Sequence, residues 1–256
     1  VTGARLWTGL LGVVLLTGAL GSDASAQIRT EQVTLLAADS VSVFATLHEP
    51  AAAGQHPLIL LFHQGGGSGE AEYAPIWPRL VDAGYAVLIT DQRRGGDRFG
   101  EANRTVDALG HNDTPYCDVY PDVEAALDWA MSAGRYSQII AWGSSYSATL
   151  VLRLAAEHPD TIHGVLSFSP ASGGPMTCSP VDYAAEITVP VALFRPEREA
   201  AIESVAADLE SFRAQGHTVF VSVPGSHGSS MLVERRVGAS TENTWEVVWA
   251  HLKRIH

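Results

Sequence analysis

The sequence predicts an α/β fold built on an open, mostly parallel sheet, and three observations lead there. Short apolar runs rich in β-branched residues alternate with longer helical patterns. The later runs are continuous rather than alternating, as expected of strands covered on both faces. No internal repeat, low-complexity tract or long linker interrupts them. In chain order, residues 33–38 and 41–49 read as a leading antiparallel pair. Runs at 58–62, 86–90, 138–142, 164–168, 191–194 and 218–223 bring the strands to eight. Helical patterns occupy 70–82, 121–133, 147–158, 199–215 and 241–254. Pro121 marks one start, and Gly134 and Gly216 fall just past two ends. The stretch 91–120 stands apart, rich in Gly, Asp, Asn and Arg and with little periodicity. It follows a strand, and open α/β sheets place their sites at strand C-terminal ends. A loop of that length is expected to rim an active site. No insertion is long enough to form a large lid domain.

Residues 1–26 carry Arg5, an apolar run from Leu6 to Leu20, and Ala24-Ser25-Ala26 before Gln27. A charged start, an apolar stretch and a small-x-small cleavage site together read as a secretory signal peptide. The apolar run is shorter than the roughly 20 residues a membrane span needs. No Cys follows it and no twin Arg precedes it, so neither a lipoprotein anchor nor twin-arginine export is indicated. The expected organisation is a signal peptide at 1–26 and one domain at 27–256, secreted or periplasmic, without stable membrane insertion. A net charge of −12 argues against nucleic acid or an anionic membrane surface as partner. Two cysteines, Cys117 and Cys178, lie in the exported part. In an oxidising compartment an even count permits one disulfide, and that pairing is expected over two free thiols.

Gly143-Ser144-Ser145-Tyr146-Ser147 lies between a predicted strand and a predicted helix. This is the spacing of a nucleophile elbow, with Ser147 where Gly is commoner. A serine held on so tight a turn brings its −2 and +2 neighbours against other backbone, so both must be small. The turn also projects its hydroxyl beside the positive end of the helix. A Ser-rich helix cap would use the same residues. The candidate nucleophile is Ser145. His63-Gln64-Gly65-Gly66-Gly67-Ser68 follows the strand 58–62 and can aim backbone N–H groups at a developing oxyanion. Gly65 is the first choice of donor there, with Gln64 close behind, and the N–H of Tyr146 is the second donor. No Gly-Lys-Ser/Thr follows, so the glycines do not read as a phosphate cradle. His227, in Val223-Pro224-Gly225-Ser226-His227-Gly228 after the last strand, is the candidate general base. The acid is expected between Ser145 and His227 in the chain. Glu197 and Glu199 both follow the strand 191–194, and Asp182 is a more distant choice. Neither His-Glu-x-x-His nor paired Cys-x-x-Cys occurs, so neither a metal nor another cofactor is expected.

The segments ILLFHQGGGSGEAEYAPIWPRL, AVLITDQRRGG, IIAWGSSYSATLVL and VPGSHG, in that order, resemble the dienelactone-hydrolase-like branch of the α/β-hydrolase superfamily. The resemblance covers nearly the whole chain from about residue 33. It implies a triad of Ser145, an acid after the strand 191–194, and His227. The branch's spacing from Pro190 reaches Glu199. Dienelactone hydrolases proper use a cysteine where this chain has Ser145, which points away from dienelactone and toward ordinary esters. A glutamate in place of the commoner aspartate is a second, milder departure.

The function expected from these residues is hydrolysis of a small-molecule carboxylic ester through an acyl-enzyme, the substrate having a small or accessible acyl group. An exported peptidase or acyltransferase would use the same residues, and a binding protein on the same fold would keep them without turnover. Arg93, Arg94, Arg98 and Arg104 in the rim loop are the candidates to meet a substrate carboxylate, or else form a solvated face.

Overall fold

The computed structural model describes residues 28–255, together with Val1 and Gly3. The expected signal peptide, apart from those two residues, lies outside the described residues. Strands β1 (Ile28–Leu36) and β2 (Ser42–Pro50) open the chain as an antiparallel pair, with Val33 opposite Ala45. They are followed by β3 (Leu58–Phe62), β4 (Ala86–Asp91), β5 (Ile139–Ser144), β6 (Gly164–Phe168), β7 (Val191–Pro196) and β8 (Thr218–Ser222). The eight form one sheet in the order β1-β2-β4-β3-β5-β6-β7-β8. β2 meets β4 antiparallel, and every pairing from β4 to β8 is parallel.

The helices are α1 (Gly69–Tyr73), α2 (Trp77–Asp82), α3 (Arg104–Leu109), α4 (Tyr120–Ala133) and α5 (Tyr146–Glu157). After them come α6 (Val181–Ala184), α7 (Glu197–Ala200), α8 (Glu203–Ala214), α9 (Glu234–Val237) and α10 (Glu242–Arg254). Short 3-10 turns lie at Tyr116–Val119 and Gly228–Leu232.

The continuous apolar strands have a direct physical reason. Successive strand residues point to opposite faces, and both faces are covered. Leu58, Leu60 and Phe62 of β3 join one core layer with Val123, Leu127, Leu150 and Val151 of α4 and α5. Ile59 and Leu61 join the other, with Tyr73, Leu80, Trp245 and Leu252 of α1, α2 and α10. All five β3 side chains are fully buried, and cutting one back to Ala would cost about 2–5 kcal/mol.

The eight expected strands all form, but two expected helices do not run through. The pattern at 70–82 divides into α1 and α2. Pro75 and Pro78 offer no N–H to an i→i−4 ladder, and Ile76 N–H instead closes a tighter bond to the Tyr73 carbonyl at 2.8 Å. The pattern at 199–215 divides where Ile202 turns extended at φ −75°, ψ 126°, so that the short α7 is aimed independently of α8. The rim segment 91–120, which lacks periodicity, contains α3 and the 3-10 turn at Tyr116–Val119. Asn103 caps α3 by accepting from Val106 N–H at 2.9 Å. Cys117 and Cys178 are joined as a disulfide, with Cα atoms 6.1 Å apart. Among the described residues no helix is long and apolar enough to cross a membrane.

Candidate active site

β5 ends at Ser144 and α5 begins at Tyr146, so Ser145 makes the turn alone. Its backbone sits at φ 61°, ψ −119°, a conformation that side-chain-bearing residues rarely hold. Three hydrogen bonds hold it there. Ser145 N–H donates to the Phe168 carbonyl at 2.8 Å, and its own carbonyl accepts from Ala148 N–H at 3.0 Å and Ala171 N–H at 3.1 Å. The small neighbours are required. A Cβ on Gly143 would lie 2.3 Å from the Ser147 carbonyl oxygen. At the +2 position the serine hydroxyl is used: Ser147 Oγ donates to the His63 carbonyl and accepts from Gln92 Nε2, both at 2.6 Å. Helix α5 is thereby fastened to the loop after β3. Ser144 is fully buried and its Oγ accepts from Ser229 N–H at 3.0 Å, which turns it away from chemistry.

His227 closes the loop after β8 and leads into the Gly228–Leu232 turn. This turn is fastened to the elbow by buried hydroxyls. Gly228 N–H donates to Ser169 Oγ at 3.0 Å, and Trp142 Nε1–H donates to Ser229 Oγ at 2.9 Å. Gly228 adopts φ 64°, and a Cβ there would stand 2.3 Å from Ser144 Oγ, so only glycine lets the loop approach so closely.

Of the three candidate acids, Glu197, Glu199 and Asp182, the structure brings Glu199 to the imidazole. Glu199 Oε1 lies 2.6 Å from His227 Nδ1, which leaves Nε2 as the ring nitrogen available for other work. Glu197 is exposed, and Asp182 is spent on Ser179 N–H at 2.8 Å. Burial raises the Glu199 carboxyl. The hydrogen bond and charge of His227, a bond from Ser169 and the Arg195 charge outweigh burial and bring it down to about 2. Arg195 is a partner the sequence did not single out: almost wholly buried, it donates to Glu199 Oε2 at 3.1 Å and to the Pro170 carbonyl.

Across the sheet, the glycine loop after β3 separates its two candidate donors. Gln64 N–H is committed to Glu72 Oε2 at 2.8 Å, and the Gln64 amide to Glu72 Oε1 at 3.2 Å. Glu72 is fully buried, so this carboxylate anchors the loop from below. Gly65 is left to face the cavity. Tyr146, as the first residue of α5, has an N–H without an intrahelical acceptor. His63 is structural: Gln92 N–H donates to Nε2 at 3.1 Å, so Nδ1–H donates to the Gln64 carbonyl at 2.9 Å.

Gly65, Ser145, Tyr146 and His227 line one cavity of about 340 Å³. No hydrogen bond joins Ser145 to His227 in this structure; such bonds often tighten only when substrate is bound. The rim is formed by Arg98, Tyr116 and residues 171–176. Of the four rim-loop arginines, Arg98 alone lines the cavity. Arg93 is clamped by Asp122 and Asp39, Arg104 pairs with Asp91 at 2.5 Å, and Arg94 donates to the Asn112 carbonyl.

The profile of the α/β hydrolase fold family matches residues 57–239. A curated relative, the quorum-quenching protein AidA of Acinetobacter baumannii (strain MDR-ZJ06), is 27% identical over 138 residues. That match covers 53% of this chain and 42% of the relative, so the chain spans less than half of that protein's length. Among solved structures, the Pyrococcus furiosus esterase PF2001 superposes with a TM-score of 0.69 at 19% identity, covering 89% of this chain and 91% of the esterase. A protein of Klebsiella pneumoniae subsp. pneumoniae MGH 78578, assigned as a dienelactone hydrolase, gives 0.67 at 17% identity, covering 88% and 98%. The chain belongs to the α/β-hydrolase family, and the structural likenesses carry the fold.

Proposed function

We propose that this α/β hydrolase is an exported serine hydrolase that cleaves carboxylic esters. Ser145 is the nucleophile and His227 Nε2 takes its proton. Glu199 holds the imidazole through Nδ1, and the N–H groups of Gly65 and Tyr146 receive the oxyanion. The alcohol leaves with the proton held on His227, and water then repeats the sequence to release the acid. The observation that carries this reading is the positive-φ turn at Ser145, opening on the same cavity as an imidazole hydrogen-bonded by a carboxylate at 2.6 Å. A cavity near the small end of ligand pockets favours short acyl groups. The leader pattern at 1–26 and the Cys117–Cys178 bridge support export. Protein recovered from the exported fraction should begin at Gln27.

The test is a panel of short- and long-chain esters run beside peptide amides of matched leaving group. Short esters should be turned over fastest, with a fluorophosphonate abolishing the activity. Faster cleavage of peptides than of any ester would overturn the ester assignment.

A further inference from the structure

Tyr116 has a hydroxyl without a role in the proposed acyl transfer. It lies on the 3-10 turn Tyr116–Val119 and lines the cavity beside Ser145. A Cβ placed on Gly65 would meet the Tyr116 hydroxyl at 3.0 Å, so the phenol stands directly over the oxyanion loop. No hydrogen-bond partner for this hydroxyl occurs among the described residues. Tyr146, its neighbour, differs: the Tyr146 hydroxyl is spent on the Arg94 carbonyl at 2.9 Å.

The ring is held in place from several sides. Its centroid is 4.8 Å from that of Tyr146, and the Arg94 guanidinium lies over the ring at 4.9 Å. The next residue, Cys117, is bonded to Cys178, just beyond the 171–176 wall of the cavity. An immobilised, half-buried phenol without an acceptor is a donor prepared for a charge that is not present until reaction. The reacting oxygen is expected about 3 Å from Gly65 N–H, in the space the phenol overlooks.

We propose that Tyr116 is a further catalytic residue, its hydroxyl donating a third hydrogen bond to the oxyanion alongside the N–H groups of Gly65 and Tyr146. The proposal rests on the serine hydrolase reading. The phenol donates a hydrogen bond and keeps its proton, so the acid–base cycle through His227 is unchanged. It also explains why residue 65 lacks a side chain: a methyl there would press on the phenol.

The test is Tyr116→Phe, which keeps the ring and removes the hydroxyl. For a short ester, kcat should fall about tenfold or more, short of the roughly 10²–10³ lost with a principal oxyanion donor. KM should stay within about twofold, because the bond forms only in the transition state. A boronic acid that adds to Ser145 should bind more weakly by a similar factor, while the product acid should bind as before. Gly65→Ala provides a second probe, since it displaces the phenol without removing it. Part of its loss of kcat should disappear in the Tyr116→Phe background, as coupled residues require. A Tyr116→Phe enzyme with kcat within about twofold of the parent, or with KM raised and kcat unchanged, overturns the proposal and leaves the serine hydrolase reading intact. A parent protein inert to both esters and fluorophosphonate would overturn that reading itself.

Discussion

Ser144, Ser169 and Ser229 beneath the cavity and Arg98, Tyr116 and Cys117 around its mouth are held by opposite means. The three serines are fully buried, and each hydroxyl receives an N–H from another element: Ser229 to Ser144, Gly228 to Ser169, Trp142 to Ser229. Buried hydroxyls left unpaired would each cost about 1–3 kcal/mol, so this floor admits one arrangement. At the mouth, Arg98 is exposed, Tyr116 is half-buried, and a covalent bridge supplies the order that burial does not. The floor holds the backbone that carries Ser145 and His227; the rim, apart from the hydroxyl proposed for Tyr116, meets the substrate and can vary without unfolding the site.

The largest expected effect lies at the floor. Ser145→Ala should lower ester turnover by roughly 10⁴-fold or more while leaving the thermal midpoint near that of the parent. Ser144→Ala should lose stability before chemistry, because it strands the Ser229 N–H. Turnover surviving in Ser145→Ala would break the comparison at once.

Next comes the acid. Glu199→Gln should lower kcat by about 10²–10⁴-fold, since the amide cannot hold the imidazole as the carboxylate does, whereas Glu197→Gln should match the parent. The Glu199 carboxyl sits well below its ordinary range, so its contribution to stability is complete above that range. It is lost as pH falls toward about 2, because the unfolded chain takes the proton first. Acid unfolding followed by circular dichroism should show that loss in the parent and not in Glu199→Gln.

A smaller effect is expected at the rim. The bridge closes a separation of 61 residues, and the chain-entropy account assigns about 4 kcal/mol to a loop of that length. Cys117→Ala with Cys178→Ala should therefore lower the denaturant midpoint. It should also raise KM several-fold as the 171–176 wall loses its tie, and lower kcat by no more than Tyr116→Phe does, because the phenol is less firmly placed. A kcat collapse at unchanged KM would mean that the rim shares in the chemistry of the floor beyond Tyr116.

The smallest effect lies away from both regions. His251 is buried in α10, and burial holds its imidazole down to about 4, with Arg254 and His217 pushing the same way and the Val165 backbone opposing. Between pH 6.5 and 4 the unfolded chain binds a proton that the folded chain refuses. Stability should therefore fall with pH there by at most about 1.4 kcal/mol per unit. His251→Leu should flatten the change in urea midpoint between pH 7 and 4.5 and leave turnover alone.

Floor and rim also differed in how far they could be read from sequence. Ser145, His227 and the Gly65 loop were legible because each follows an apolar strand run, and a residue at a strand end has few places to go in a parallel sheet. Glu199 needs the resemblance as well, since Glu197 stands nearer the end of β7. What separates them is their place on α7: two residues apart on a helix they point to different sides, and Glu199 is the one that meets His227. Ser169, Ser229 and Arg195 escaped notice because an isolated serine or arginine has no pattern. Their roles arise only when β6, β7 and the turn after β8 meet. In the sequence the rim reads as an irregular loop, and its arginines look alike. Folding shows three of them spent on Asp122, Asp91 and the Asn112 carbonyl. Ser147 was the departure at the elbow, and its two hydrogen bonds at 2.6 Å explain why glycine is not needed there.

The most direct test of the account is to map the residue that a fluorophosphonate modifies, by digesting labelled protein and sequencing the adduct-bearing peptide. A single adduct is expected on Ser145, retained in Ser144→Ala and absent from Ser145→Ala. An adduct on Ser144 or on any other side chain, or an unlabelled parent protein that still hydrolyses esters, would contradict it.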